Sequence, residues 1–160
     1  MHGQGGQPGG IVVLALTRGG CALGERLATQ LGADFRPCRG RVAVEMRRAW
    51  QSHRALVCIM AAGIVVRTIA PLLADKRHDP AVVVCAEAGR FAIPLVSGHL
   101  GGANELAREV ARLTGGAAAL TTASDVLGRT ALDLWCRDLG LQVADRAGLT
   151  AAMGRLVDEG

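Results

Sequence analysis

The chain has 160 residues, half of them hydrophobic, and a formal net charge of +4, which suits a single domain with a sizeable core. Its longest apolar stretch, Ala55–Val66, stops between Arg54 and Arg67, short of the roughly 20 residues that span a bilayer. With Phe35, Trp50, Phe91 and Trp135 as its only aromatic residues, it also lacks the stacking platforms of single-strand nucleic-acid binders.

Residues 1–10 (MHGQGGQPGG) read as a flexible Gly-rich tail outside the fold. The apolar, β-branched run Ile11–Thr17 then predicts a strand, Gly19 and Gly20 a turn, and Leu23, Leu27 and Leu31 the core face of a helix. A short strand is expected over Ala33–Cys38, a helix over Val42–Gln51, a strand over Ala55–Met60 and, after Ala61, Ala62 and Gly63, a helix to about Pro71. The polar stretch Asp75–Pro80 (DKRHDP) marks a surface loop. Ala81–Ala86 and Arg90–Val96 flank a three-residue link and predict an antiparallel hairpin, with Pro94 suggesting an edge position.

After the loop Ser97–Gly102, a helix places Ala103, Leu106, Ala107, Val110 and Leu113 on one face. Ala117–Thr121 reads as a strand, Ser124 or Asp125 as the cap of a further helix, and Leu149–Val157 as the last helix. Strands that are apolar on both faces and alternate with helices predict an α/β fold. The expected form is a three-layer α/β/α sandwich around a mostly parallel sheet with one antiparallel hairpin, one domain over 11–160.

Five scattered cysteines (Cys21, Cys38, Cys58, Cys85, Cys136) form no C-x-x-C pair, so a reduced, cytoplasmic protein without a cysteine metal site is expected. Positive charge rests almost wholly on arginine, with Lys76 the only lysine. That composition fits a partner bearing carboxylates or phosphates, and equally the codon bias of a GC-rich genome.

Ligands gather at the ends of strands in open α/β sheets, and four such segments stand out: Gly19-Gly20, Ala61–Arg67, Ser97–Asn104 and Thr121–Asp125. The segment SGHLGGAN is the most informative. Its glycines let backbone approach a ligand, and the helix expected near Gly101 directs amides and a positive dipole end at it. Ser97, His99, Asn104 and Glu105 add a hydroxyl, an imidazole, an amide and a carboxylate, a set suited to holding an oxyanion and moving a proton. A Gly-rich helix entry with His99 bonded to backbone is the plainer alternative. Arg67 and Lys76 suit carboxylate binding or simple surface charge, Glu87 a site or an exposed hairpin tip, and Thr121, Thr122 and Asp125 a site or local backbone bonding. The Walker A and G-x-S-x-G signatures are absent from the sequence.

The block Ala55–Asp125, with IMAAGIVVR, APLLADKRHDPAVVV, EAGRFAIPLVSGHLGGANELA and TTASD in order, resembles the CbiG family of anaerobic cobalamin biosynthesis, and DVLGRTALDLW resembles its continuation. The resemblance implies an enzyme that opens the δ-lactone of cobalt-precorrin-5A and releases acetaldehyde to give cobalt-precorrin-5B. It implies no organic cofactor and no metal ligands, since the cobalt comes with the tetrapyrrole. Family members usually continue through a central region, beginning here at about 126, into a C-terminal domain, so a separately encoded domain or other pathway enzymes are expected partners.

For that chemistry, His99 is the candidate general base, with Glu105 or Glu87 orienting it and Ser97 beside it. The amides near Gly101 and Gly102, with Asn104, are candidate oxyanion donors. Arg67, Lys76, Thr121, Thr122 and Asp125 are candidate substrate contacts. The competing reading is a non-catalytic module that binds a tetrapyrrole or another anion and needs a partner domain for activity.

Overall fold

The apolar runs become strands that are buried on both faces. In this computed structural model, which describes residues 9–75, 78–98, 101–121, 132, 135, 136 and 139–158, the first strand β1 spans Gly9–Ala15. It takes in the last two glycines of the stretch read as tail, with Gly9 paired to His53. Thr17 caps the helix α1 (Arg18–Leu31) by accepting from the Gly20 amide at 3.0 Å, and Gly32 closes it in a left-handed conformation. Then follow β2 (Asp34–Pro37), α2 (Val42–Ser52), β3 (His53–Ile59) and α3 (Ala62–Ile69), which tightens into a 3-10 turn over Ala70–Leu72. β4 (Ala81–Cys85) and β5 (Phe91–Val96) form the expected hairpin, α4 spans Ala103–Thr114, and the two residues of β6 are Ala117–Ala118.

The six strands form one sheet in the order β2-β1-β3-β4-β5-β6. All neighbouring pairs are parallel except β4 and β5. Helices α2 and α3 cover one face, where Met46, Ala49, Val65 and Ile69 pack on Val12, Leu14, Leu56, Cys58, Val82 and Val84. α1 and α4 pack against each other and against the sheet, burying Leu23, Leu27, Leu106, Ala107 and Val110. The α/β class and the layering expected from the sequence are both present.

Pro94 is a local edge, not the edge of the sheet. It pairs with Val83 of β4 on one side, while β6 reaches only Phe91 and Ala92 on the other. β5 lies inside the strand order, and a proline without an amide donor is accommodated beyond the short partner.

The chain divides into two compact units, residues 1–119 and 120–160. The second unit contains α5 (Arg146–Asp158), which starts three residues before the expected Leu149 because the Asp145 carboxylate accepts from the Gly148 amide at 2.9 Å. The helix expected after Ser124 or Asp125 begins outside the described residues. Among the described residues, no helix is long and apolar enough to cross a membrane.

Candidate functional site

The antiparallel turn of β5 decides where the candidate residues fall. β1, β3 and β4 deliver Gly19, Ala61–Gly63 and Glu87 to one edge of the sheet, at the C-terminal ends of the parallel strands. β5 runs back, so its C-terminal end and Ser97 lie at the opposite edge, beside Asp79 at the entry to β4. The six residues of β5 separate these edges by roughly 20 Å at about 3.3 Å per residue.

Glu87 therefore lies at the end of the sheet opposite Ser97, Gly98 and Gly101. Its carboxylate instead packs on α1, where a Cβ added to Gly19 would meet Glu87 Oε1 at 2.2 Å. It lines an open cleft of about 460 Å³ together with Gly19, Arg26, Gly89 and Thr114. An acidic group at a helix N-terminus is favourable with the dipole.

At the opposite edge two loops are joined. The Ser97 hydroxyl donates to the Asp79 carbonyl at 2.9 Å. Asp79 is itself fixed, since both its carboxylate oxygens accept from the Ala74 amide at 3.2 and 3.1 Å and its own amide donates to the Asp75 carbonyl at 2.8 Å. Ser97 is the one described non-glycine residue with positive φ, at 58°. Such backbone strain persists where surroundings over-determine it, commonly at functional sites. A Cβ at Gly101 would fall 2.3 Å from Ser97 Cβ and 2.7 Å from its carbonyl oxygen, so glycine alone fits there.

The helix start offers fewer amides than its sequence suggests. α4 begins at Ala103, after Gly102 in a left-handed conformation. The Ala103 amide donates to the Ser97 carbonyl at 3.1 Å and the Asn104 amide to the Gly98 carbonyl at 3.0 Å. The Asn104 side chain is only 2% exposed and packs toward Gly98, where a Cβ would meet its Oδ1 at 2.9 Å. Asn104 thus lies buried beneath the loop that precedes α4. Glu105 is exposed and pairs with Arg108 one turn along, which draws its carboxylate along the helix surface.

Arg67 lies exposed in the last turn of α3, where its guanidinium donates to the Gly63 carbonyl at 3.4 Å. Thr121 is exposed in the second unit. His99, Lys76, Thr122 and Asp125 lie outside the described residues. Asp79, which the sequence offers only within the charged stretch Asp75–Pro80, takes a structural part of its own. Its signal was an Asp-Pro pair at a strand entry, a common turn device.

No buried thiol offers an alternative nucleophile. Burial pushes Cys38 and Cys58 up, and pushes Cys85 up to about 11, which leaves them as thiols at neutral pH. Among the described residues, no three His, Cys, Asp or Glu side chains are grouped to hold a metal ion.

The cobalt-precorrin-5A hydrolase of Salmonella typhimurium is 41% identical over 150 residues, which cover 87% of this chain and 43% of that protein. The cobalt-precorrin-5A hydrolase of Priestia megaterium is 40% identical over 120 residues, 75% of this chain and 32% of that protein. The chain thus spans less than half the length of either relative. The fold matches a crystal structure described as a cobalamin biosynthesis protein G homolog from Sulfolobus solfataricus, with a TM-score of 0.61 and 20% identity over 93% of this chain and 46% of that one.

The family described as "Cobalamin synthesis G N-terminal" matches residues 45–125, a stretch that contains both joined loops. On that match, the chain belongs to the cobalamin synthesis G N-terminal family.

Proposed function

We propose that this chain carries the lactone-opening site of a cobalt-precorrin-5A hydrolase in cobalamin biosynthesis, and that the site is the platform formed by the Ser97–Glu105 and Asp75–Pro80 loops. The observation that carries this reading is the 41% identity to the Salmonella typhimurium hydrolase across 87% of the chain. The strained, hydrogen-bonded Ser97 supports the choice of edge.

Opening the lactone adds water across its acyl C–O bond, leaving a carboxylate and an alcohol. Removing the alcohol proton then lets the carbon–carbon bond to the macrocycle break. Acetaldehyde leaves, and the bonding electron pair remains with the ring, which is then protonated. The chain must supply a base and donors for the developing oxyanion. His99 is the proposed base, acting first on water and then on the alcohol. The amides around Gly101 and Gly102 are the proposed donors, since those of Ala103 and Asn104 already have loop carbonyls as partners. Arg67 and Lys76 are proposed to hold peripheral carboxylates, with Thr122 and Asp125 as further contacts. No organic cofactor is needed for these steps, and the cobalt arrives in the substrate.

The remaining length of the relatives is proposed to cover the macrocycle as a separate domain. The test is acetaldehyde release from cobalt-precorrin-5A by this chain, alone and with the remaining portion of the Salmonella typhimurium relative supplied as a second polypeptide. Release under either condition supports the reading. Substrate binding without release in both would favour the tetrapyrrole-binding module instead.

A further inference from the structure

We infer that Ser97 serves this reaction as a positioning residue, and that Asp79 is the anchor through which it acts. The inference rests on the proposed lactone-opening site and deepens it.

The Ser97 hydroxyl donates to the Asp79 carbonyl at 2.9 Å, which ties the exit of β5 to backbone that is itself held by hydrogen bonds. The bond joins residues 18 apart in sequence. It lies just beyond the Val82–Val96 pairing, where the β4–β5 register is irregular, so it secures the end of the hairpin where the ladder is weakest.

The remaining atoms of Ser97 serve the same purpose. Its carbonyl accepts from the Ala103 amide. Its Cβ fills the space that a side chain at Gly101 would need. The strained φ of 58° is held from both sides. In the sequence, His99 sits between Gly98 and Gly101, so the latch fixes the two ends of the short segment that carries the proposed base.

Asp79 holds the latch through its fold, not its charge. Its two carboxylate oxygens receive the Ala74 amide, and its own amide closes onto Asp75. Together these bonds aim its carbonyl at Ser97. An asparagine at 79 keeps an oxygen for the Ala74 amide, whereas an alanine does not.

The experiment uses four variants, Ser97→Ala, Asp79→Ala, Asp79→Asn and the Ser97→Ala/Asp79→Ala double, with two readouts. The first is turnover of cobalt-precorrin-5A in the presence of the complementing polypeptide. Ser97→Ala and Asp79→Ala should each lower kcat by about 10- to 100-fold with KM nearly unchanged. The double variant should lose little more than either single one, because the two residues act as one unit. Asp79→Asn should restore most of the activity, and the shape of the pH profile should stay that of the wild type.

Turnover abolished by Ser97→Ala but unaffected by Asp79→Ala would make Ser97 a reacting group and overturn the inference. So would an Asp79→Asn variant as impaired as Asp79→Ala, which would mark the carboxylate as an acid or base. The second readout is amide hydrogen exchange at Ala103 and Asn104. It should accelerate in Ser97→Ala and Asp79→Ala but not in Asp79→Asn. It tests the latch without any substrate, so unchanged exchange in all variants defeats the latch even if the protein acts on a different ligand. Absence of wild-type turnover alone counts only against the proposed function.

Discussion

His53 Nε2 lies 2.9 Å from the Asp34 carboxylate, so the first residue of β3 holds the first residue of β2 across the intervening β1. The imidazole is buried, and its Nδ1 lies 2.8 Å from the Ser52 hydroxyl, which in turn donates to the Arg48 carbonyl. The side-chain bond from His53, helped by the charges of His53 and Arg36, holds the Asp34 carboxyl below its ordinary value of 3.8. Desolvation opposes the shift without reversing it.

This pair gives stability a definite pH dependence. The folded pKa lies below the unfolded one, so the contribution is present above about pH 4 and is lost as pH falls through the folded value. Asp34→Asn removes the charge. In urea titrations the wild type should exceed this variant at about pH 6, and the gap should close as the pH is lowered below about 4. A gap of constant size through that window would show that the pair does not act through ionisation.

A second prediction concerns Gly101. Gly101→Ala places a methyl group against Ser97 Cβ and carbonyl oxygen at distances real atoms do not reach, and the loop backbone must move. Turnover should fall by about 100-fold, the effect expected of a displacement near 1 Å in a catalytic segment. Circular dichroism should show an intact fold, because the strain stays within the loop. Wild-type kinetics in this variant would mean that the loop geometry is unimportant to the reaction.

The cysteines provide a third check. Cys38, Cys58 and Cys85 are buried with their thiols pushed up, while Cys21 is half-buried. In native protein at neutral pH, Ellman's reagent should label these three only on the timescale of unfolding. Rapid labelling of a Cys85-only variant would place β4 nearer solvent than its burial allows.

Packing supplies a fourth. Met46 is fully buried and fixes α2 on the sheet face formed by Leu14, Leu56 and Cys58. Met46→Ala should cost about 2–5 kcal/mol in chemical denaturation. A loss near zero would indicate that α2 does not depend on this contact.

The layered α/β fold was legible because Ile11–Ala15, Ala55–Ile59 and Ala81–Cys85 are continuous apolar runs, which only strands covered on both faces require. The hairpin was legible as well, yet its consequence for the site was not. Sequence order groups Glu87 with Ser97, while the antiparallel β5 sends them to opposite edges. The burial of Asn104 was hidden for a related reason. A polar side chain near a helix start reads as exposed until the loop that packs over it is located in space. The bond from Ser97 to Asp79 was not legible because it is made to a backbone carbonyl, which every residue has.

The central claim is that the reaction takes place at the edge carrying the β5 exit loop. It is tested most directly by comparing turnover of His99→Ala and Glu87→Gln, each with the complementing polypeptide and cobalt-precorrin-5A. Loss of a general base typically costs about 100-fold or more, so His99→Ala should release acetaldehyde at no more than about one hundredth of the wild-type rate, with Glu87→Gln within about twofold of it. The reverse pattern, an active His99→Ala and an inactive Glu87→Gln, would place the chemistry in the cleft beside Gly19 and contradict the account.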